Sequence, residues 1–297
     1  MPEAYAAHEA LVAPARPRAQ IWRLLAGLAT CGAAYLALGF AFQNVLALVV
    51  PQLLRGGPQS LVAGNTPLAL LVLLFSFGLL IAAVAIAARL IHHRGLQSIT
   101  GPRGLVWHQF RRVGLPLVLL HAVLFALPPH GFGGELVANL PLATWAMLLP
   151  LSLLAILVQV SAEEILFRGY LQQTLAARFR SPVVWMLVPA VLFGAGHFLP
   201  AEAGGNAGLI AAWAVCFGLL MADLTARAGS LGPAIAVHMV NNVIAVLVIS
   251  VPDSLSGLAL ATTAESISDT GVMRAWILVD FAFMMVNWLV ARIAIRR

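Results

Sequence analysis

The chain has 297 residues, of which 61% are hydrophobic and only 9% are charged. This composition excludes an ordinary soluble domain, in which about a quarter of the residues are charged. The formal net charge is +6, but the arginines stand between apolar runs and form no basic face with interleaved aromatic residues, so we expect no nucleic-acid partner. The composition predicts an all-α integral membrane protein that has membrane lipids as partners.

The apolar runs predict the division of the chain. Residues 1–19 are mixed and polar and are expected to form a cytoplasmic N-terminal tail, whereas residues 20–297 form a single multi-span membrane domain. A bilayer core about 30 Å thick takes roughly 20 apolar residues of helix. We therefore predict a polytopic membrane helical bundle of about eight transmembrane helices, near residues 21–50, 66–92, 105–127, 141–165, 183–199, 207–227, 231–252 and 273–295. Pro116 interrupts the third of these runs.

The distribution of arginines predicts the orientation of the chain. Arginines precede the first predicted helix, separate the second from the third, and follow the fourth, sixth and eighth. The opposite loops, such as residues 252–271, carry little positive charge, and Arg55 and Arg274 are the exceptions. Because arginine is retained on the cytoplasmic side, we expect a multi-pass protein of the cell (plasma or inner) membrane with both termini in the cytoplasm. No internal repeat divides the chain into two similar halves, as it does in many transporters.

A first group of ionisable residues follows the apolar run of the fourth predicted helix. Ionisable side chains within membrane spans are costly and indicate function by default. Glu164 and Arg168 are four residues apart on a helix and can form an ion pair, while Glu163 points about 100° away and stays free. The alternative is that both glutamates lie beyond the membrane and begin a cytoplasmic helix.

Two further polar groups follow in the chain. His197 ends the fifth predicted helix after a run of small residues, and His238 and Asn242 are four residues apart on one face of the seventh. Taken alone, His197 is typical of a hydrogen-bonded interior residue, and the His238–Asn242 pair is equally typical of hydrogen bonding between membrane helices.

A helical hairpin would bring two of these groups to one height. If the chain turns at Ser181, Glu163 lies 18 residues before the turn and His197 lies 16 residues after it. At about 1.5 Å of rise per residue, the two side chains reach nearly the same level on antiparallel helices and can meet. His238 would lie about two turns inside the seventh helix, on the same cytoplasmic side.

Three short motifs together resemble those of the CAAX-protease and bacteriocin-processing family (CPBP, or Abi), which includes the type II CAAX prenyl endopeptidases. The resemblance covers roughly residues 160–249, with a catalytic core expected at about 141–252. It implies an intramembrane endopeptidase that hydrolyses a peptide bond of a membrane-associated peptide or protein, prenylated or not. The motifs are Glu163-Glu164-x-x-x-Arg168, Phe193-x-x-x-His197 and His238-x-x-x-Asn242.

The resemblance also implies roles for the motif residues. Glu163 would activate a water molecule with help from His197. His238 and Asn242 would polarise the scissile carbonyl group and stabilise the oxyanion. A carboxylate among apolar helices suits general-base catalysis, and fixed donors in a dry site stabilise developing negative charge.

The supporting residues and the cofactor follow from the same resemblance. Glu164 and Arg168 would orient the helix without reacting. His197 and His238, with a glutamate, could hold a divalent metal such as zinc, and a metal-free glutamate mechanism is equally open. The soluble zinc-protease spacing His-Glu-x-x-His is absent, because Val12 stands where the second histidine would be.

Two other classes of protein remain open. A small-solute transporter would use Glu163, Arg168 and Asp280 as pathway residues. A non-catalytic membrane scaffold or immunity protein would keep the fold without the reaction. The sequence assigns no role to Asp280 or to residues 252–271.

Overall fold

The computed structural model describes residues 3–55, 58–127 and 135–296. Residues 1 and 2 of the predicted N-terminal tail lie outside the described residues, as do residues 56, 57, 128–134 and 297 of the predicted membrane domain. In the described part of the chain, six helices are long and apolar enough to cross a membrane, and two apolar helices are shorter. They are α1 (Ile21–Val49), α2 (Pro67–His92), α3 (Arg103–Ala126), α4 (Leu142–Arg178), α5 (Pro182–Gly196), α6 (Pro200–Ala228), α7 (Gly232–Val248) and α8 (Val272–Ile295). The predicted all-α membrane bundle is confirmed.

Three helices differ from their predicted bounds or continuity, and one of them is α6, which begins at Pro200 instead of near residue 207. Helix α3 runs through Pro116 without ending, and α4 continues to Arg178, well past its predicted end. The Glu163–Arg168 motif therefore lies within α4 and not beyond its end. Short helices complete some of the connections: Pro51–Leu54, Pro58–Ala63 and Leu96–Thr100.

The described part of the predicted N-terminal tail is folded and packed. It forms three short helices, which we call the N-terminal segment: Glu3–His8, Glu9–Val12 and Ala13–Arg18. His8, Leu11, Val12 and Ala15 are all buried, and the His8 ring lies 5.0 Å from the Trp185 ring of α5. The spacing of these residues gives the segment an apolar face, which its mixed composition conceals.

A small three-stranded sheet lies among the predicted outer loops. Strand β3 (Ala261–Thr263) is central, with β1 (Leu136–Ala138) antiparallel and β2 (Ile249–Ser250) parallel to it. Gly257 donates its backbone N–H to the Gly64 carbonyl oxygen, and a Cβ on Gly257 would collide with the backbone of Thr66. Residues 252–271 therefore pack against the residues that precede α2 and, through β1, against those that precede α4.

Close helix packing positions the polar motifs. Helices α4 and α5 form the expected antiparallel hairpin, α5 packs along α6, and α7 packs against both α3 and α4. A Cβ on Gly218 of α6 would lie 2.9 Å from the Ala190 Cα of α5, so only glycine permits this approach. The motifs of α4, α5 and α7 consequently face one another.

Candidate active site

Helix α4 changes its winding at the glutamate motif. The α-helical part ends at Glu164, and a π-helical turn follows from Ile165 to Leu171. Such turns are rare and occur frequently at functional sites. The Glu164 side chain is fully buried, whereas the Glu163 side chain keeps 14% of its surface exposed.

Glu164 is the centre of a buried charged group. Arg168 Nη1 donates to Glu164 Oε1 at 2.9 Å, so the expected ion pair is present, and both side chains are buried. His238 Nδ1 lies 2.8 Å from the same oxygen. The Arg168 guanidinium also stacks 4.7 Å from the centre of the Phe193 ring. These contacts fix the position of His238 against α4.

His238 stands between the two glutamates. A carboxylate only accepts hydrogen bonds, so Nδ1 carries the hydrogen toward Glu164 and Nε2 faces Glu163. The distance from His238 Nε2 to Glu163 Oε2 is 3.5 Å, longer than a normal hydrogen bond. Glu163 Oε2 has no hydrogen-bond donor among the described residues. The centre of the His238 ring also lies 4.9 Å from the centre of the Phe217 ring of α6.

Gln159 links Glu163 to Asn242. Gln159 Nε2 donates to Glu163 Oε1 at 2.7 Å, and Asn242 Nδ2 donates to Gln159 Oε1 at 2.8 Å. Gln159 is buried one helical turn before Glu163. The sequence analysis did not select it, although a single amide in the apolar run of α4, four residues from a glutamate, is a detectable signal.

His197 lies beside this group but does not pair with Glu163. Its Nδ1 donates to its own helix at the Phe193 carbonyl oxygen, at 2.8 Å. Its ring is 4.5 Å from the Phe193 ring, which is in turn 6.2 Å from the His238 ring. His197 is the C-terminal cap of α5, where the last carbonyl groups lack donors within the helix. Its ring therefore points back toward the Phe193 carbonyl oxygen. The histidine that approaches Glu163 is therefore His238.

The two histidines proposed as metal ligands have other partners for their ring nitrogens. Among the described residues, no three His, Cys, Asp or Glu side chains form a group that could hold a metal ion. His238 directs both ring nitrogens toward carboxylates, and His197 Nδ1 is bonded to a backbone carbonyl group. This arrangement does not fit a zinc site built on both histidines.

A second buried carboxylate, which the sequence analysis missed, lies on α6. Asp223 accepts hydrogen bonds at both oxygens, and we call it with its donors the Asp223 cluster. It joins the N-terminal segment to α6 and α8. The donors are Tyr5 Oη at 2.9 Å, Arg227 Nε at 2.8 Å, Trp288 Nε1 at 3.0 Å and Arg292 Nη1 at 3.4 Å.

The fold and the site together define a multi-pass membrane protein with a buried glutamate–histidine centre. Residues 144–244 match the family model described as Rce1-like, type II CAAX prenyl endopeptidase Rce1-like. This segment runs from α4 into α7 and contains every residue of the three motifs. The match confirms the family resemblance seen in the motifs.

The comparison with curated proteins adds a distant relative. The uncharacterized protein YyaK of Bacillus subtilis (strain 168) is 24% identical over 184 residues, which are 60% of this chain and 60% of YyaK. The chain thus aligns with less than two thirds of that relative's length. No solved structure matches the chain.

Proposed function

We propose that the protein is an intramembrane endopeptidase that hydrolyses a peptide bond of a membrane-associated substrate through water activated by Glu163. The observation that carries this proposal is the position of His238, with one ring nitrogen on the buried Glu164 and the other facing Glu163. The family match over residues 144–244 supports the same reaction class.

Glu163 has the properties of a general base. Gln159 holds Oε1, which fixes the carboxylate and leaves Oε2 without a donor. The water oxygen attacks the scissile carbonyl carbon, and its proton passes to Glu163 Oε2. The same carboxyl group then returns the proton to the leaving amine as the C–N bond breaks. General-base catalysis of this kind contributes about 10²- to 10⁴-fold in rate.

His238 and Asn242 are the proposed donors to the oxyanion. Glu164 holds His238 Nδ1, so a protonated ring offers Nε2–H to the substrate oxygen. Asn242 uses one amide hydrogen on Gln159 and keeps the other. Each fixed donor of this kind is worth roughly 10²- to 10³-fold in kcat.

His197 has a secondary role in this proposal. Its Nδ1 donates to the Phe193 carbonyl oxygen, so Nε2 of the neutral ring is an acceptor that can orient the water. We assign it to water positioning beside Glu163, and we route no step through a metal ion.

The substrate and the orientation are parts of the same proposal. The family name refers to prenylated proteins, so a prenylated C-terminal peptide is the first substrate to test and an unmodified membrane peptide is the second. Both chain ends are proposed to face the cytoplasm, in the plasma or inner membrane. A transporter is less well supported, because no internal repeat divides the sequence into two similar halves.

Cleavage by the purified protein tests the proposal. Membrane-anchored peptides, with and without a prenyl group, are incubated with wild type, Glu163→Gln and His238→Ala. We expect Glu163→Gln to lower kcat by about 10²- to 10⁴-fold. Glu202→Gln and His108→Ala are the matched controls, because both residues are exposed and lie outside the site. Each protein is also assayed with a chelator.

The outcomes separate the candidate functions. Cleavage that is lost in both site variants and kept in both controls supports the proposal, and loss on chelation would require a metal in place of the metal-free step. Normally folded wild type that cleaves none of the peptides would favour a scaffold, and solute flux into vesicles would favour a transporter.

A further inference from the structure

A groove beside the C-terminal end of α2 combines apolar walls with two arginines. We call it the arginine groove; its volume is about 420 Å³, and its lining includes Ile86, Arg89, Leu90, Arg94 and Leu96. No acidic residue lines it, and no residue of the candidate active site belongs to it. Ile86 and Leu90 are 38% and 63% exposed, so the apolar wall opens to the side of the bundle.

Arg94 places an uncompensated positive charge at this groove. Its side chain is buried, and its hydrogen-bond acceptors are neutral: the Leu11 and Ser98 carbonyl oxygens, the Ser98 hydroxyl and Gln173 Oε1. Among the described residues, no carboxylate forms an ion pair with it. Burial lowers the pKa of Arg94 to about 10, so the guanidinium stays charged at neutral pH.

A buried charge is costly when no opposite charge lies near it, so a bound anion near Arg94 would lower this cost. Arg89 adds a second positive charge at the same groove, and its side chain is exposed. The chemistry that complements this surface is an anion joined to an apolar chain. Both arginines also lie on the side of the membrane that the sequence predicts to be cytoplasmic, where anionic lipids are attracted to basic residues.

We propose that the arginine groove binds an anionic phospholipid. The headgroup would contact Arg89 and be attracted by the buried charge of Arg94, and an acyl chain would lie along Ile86 and Leu90. Arg94 also holds the N-terminal segment through Leu11 and helix α4 through Gln173. A lipid in the groove therefore stabilises the joint between these two elements, because a ligand that binds only the folded state raises its stability.

Native mass spectrometry of the delipidated protein in detergent tests this proposal. Phosphatidylglycerol and phosphatidylcholine with identical acyl chains are titrated onto wild type, Arg89→Gln and Arg103→Gln. Arg103 is exposed and lies on the same predicted side outside the groove, so its variant controls for general surface charge. We expect Arg89→Gln to weaken phosphatidylglycerol binding roughly fivefold, equivalent to about 1 kcal/mol, and Arg103→Gln to leave it unchanged.

Three results would overturn the proposal. The first is equal binding of the two lipids to wild type, and the second is equal weakening by the two variants, which would indicate general surface charge. The third is displacement of phosphatidylglycerol by equimolar inorganic phosphate, which would show that the groove takes a free anion without the lipid chain. Selective phosphatidylglycerol binding that phosphate does not displace, reduced only by Arg89→Gln, supports it.

Discussion

The candidate active site and the Asp223 cluster both hold a buried carboxylate against an arginine four residues later. They differ in how completely their polar atoms are paired. Both oxygens of Asp223 accept hydrogen bonds from side chains of three separate elements. In the site, Glu163 Oε2, Glu164 Oε2 and Arg168 Nη2 have no hydrogen-bond partner among the described residues.

This difference separates a structural cluster from a reactive one. A buried polar network that is fully paired stabilises the fold and fixes its geometry, whereas unpaired buried groups are costly and require an explanation. In the site, the unpaired Glu163 Oε2 lies 3.5 Å from His238 Nε2, and the Glu163 side chain keeps part of its surface exposed. The Asp223 cluster instead ties the N-terminal segment and α8 to α6.

The largest expected effect comes from breaking the paired part of the site. Arg168→Ala leaves Glu164 buried without its cation, and we expect about 3–5 kcal/mol of destabilisation, measured by denaturant unfolding in detergent. Arg227→Ala is the matched variant in the Asp223 cluster. Arg227 is less buried than Arg168, and Asp223 keeps other donors, so we expect this variant to lower the free energy of unfolding by about 1 kcal/mol. Equal losses would contradict the proposed difference between the clusters.

Removing the carboxylate of the Asp223 cluster should affect stability more than catalysis. Asp223→Ala deprives four donors of their acceptor, and we expect about 2–3 kcal/mol of destabilisation. Cleavage per folded molecule should remain within about twofold of wild type, because the described hydrogen bonds of Asp223 involve no residue of the three motifs. The check is to measure activity against the folded fraction at each denaturant concentration. A large loss of kcat in fully folded protein would place Asp223 in the reaction.

Acid should loosen the supporting N-terminal segment through His8. Burial lowers the pKa of His8 to about 4, below its ordinary value of about 6.5. The unfolded chain therefore binds this proton more readily, so the stability from neutral His8 is full above about pH 6.5 and is lost as the pH falls toward 4. We expect wild type to lose about 2 kcal/mol more than His8→Phe between pH 7 and 5 in unfolding experiments. Parallel pH curves for the two proteins would refute this role of His8.

The elements that depend on local sequence were predictable. Apolar length gave all eight helices, and four-residue spacing gave the Glu164–Arg168 pair, because residues three and four apart are neighbours on any helix. The apolar face of the N-terminal segment was also present in the spacing of His8, Leu11 and Ala15, but it was concealed by charged and proline residues.

Contacts between distant elements were not predictable from spacing alone. Rise per residue predicts the level of His197 on its hairpin, but the direction of its ring depends on the unpaired carbonyl groups at the end of α5. The two contacts of His238 need the packing of α7 on α4, and the donors of Asp223 come from positions as far apart as Tyr5 and Arg292.

The smallest expected effect tests how the site keeps its reactive oxygen oriented. Gln159→Leu removes the amide that holds both Glu163 Oε1 and Asn242 Nδ2, without touching the Glu164–Arg168 pair. We expect kcat to fall about tenfold while KM and the unfolding midpoint change little. Loss of a residue that orients a reactive group typically lowers activity about ten- to a hundredfold. Gln159→Glu, which keeps an acceptor for Asn242 but sets a like charge beside Glu163, should shift the pH profile of cleavage. An unchanged kcat and pH profile in both variants would mean that Glu163 keeps its orientation without Gln159, and that the unpaired Oε2 owes its position to His238 alone.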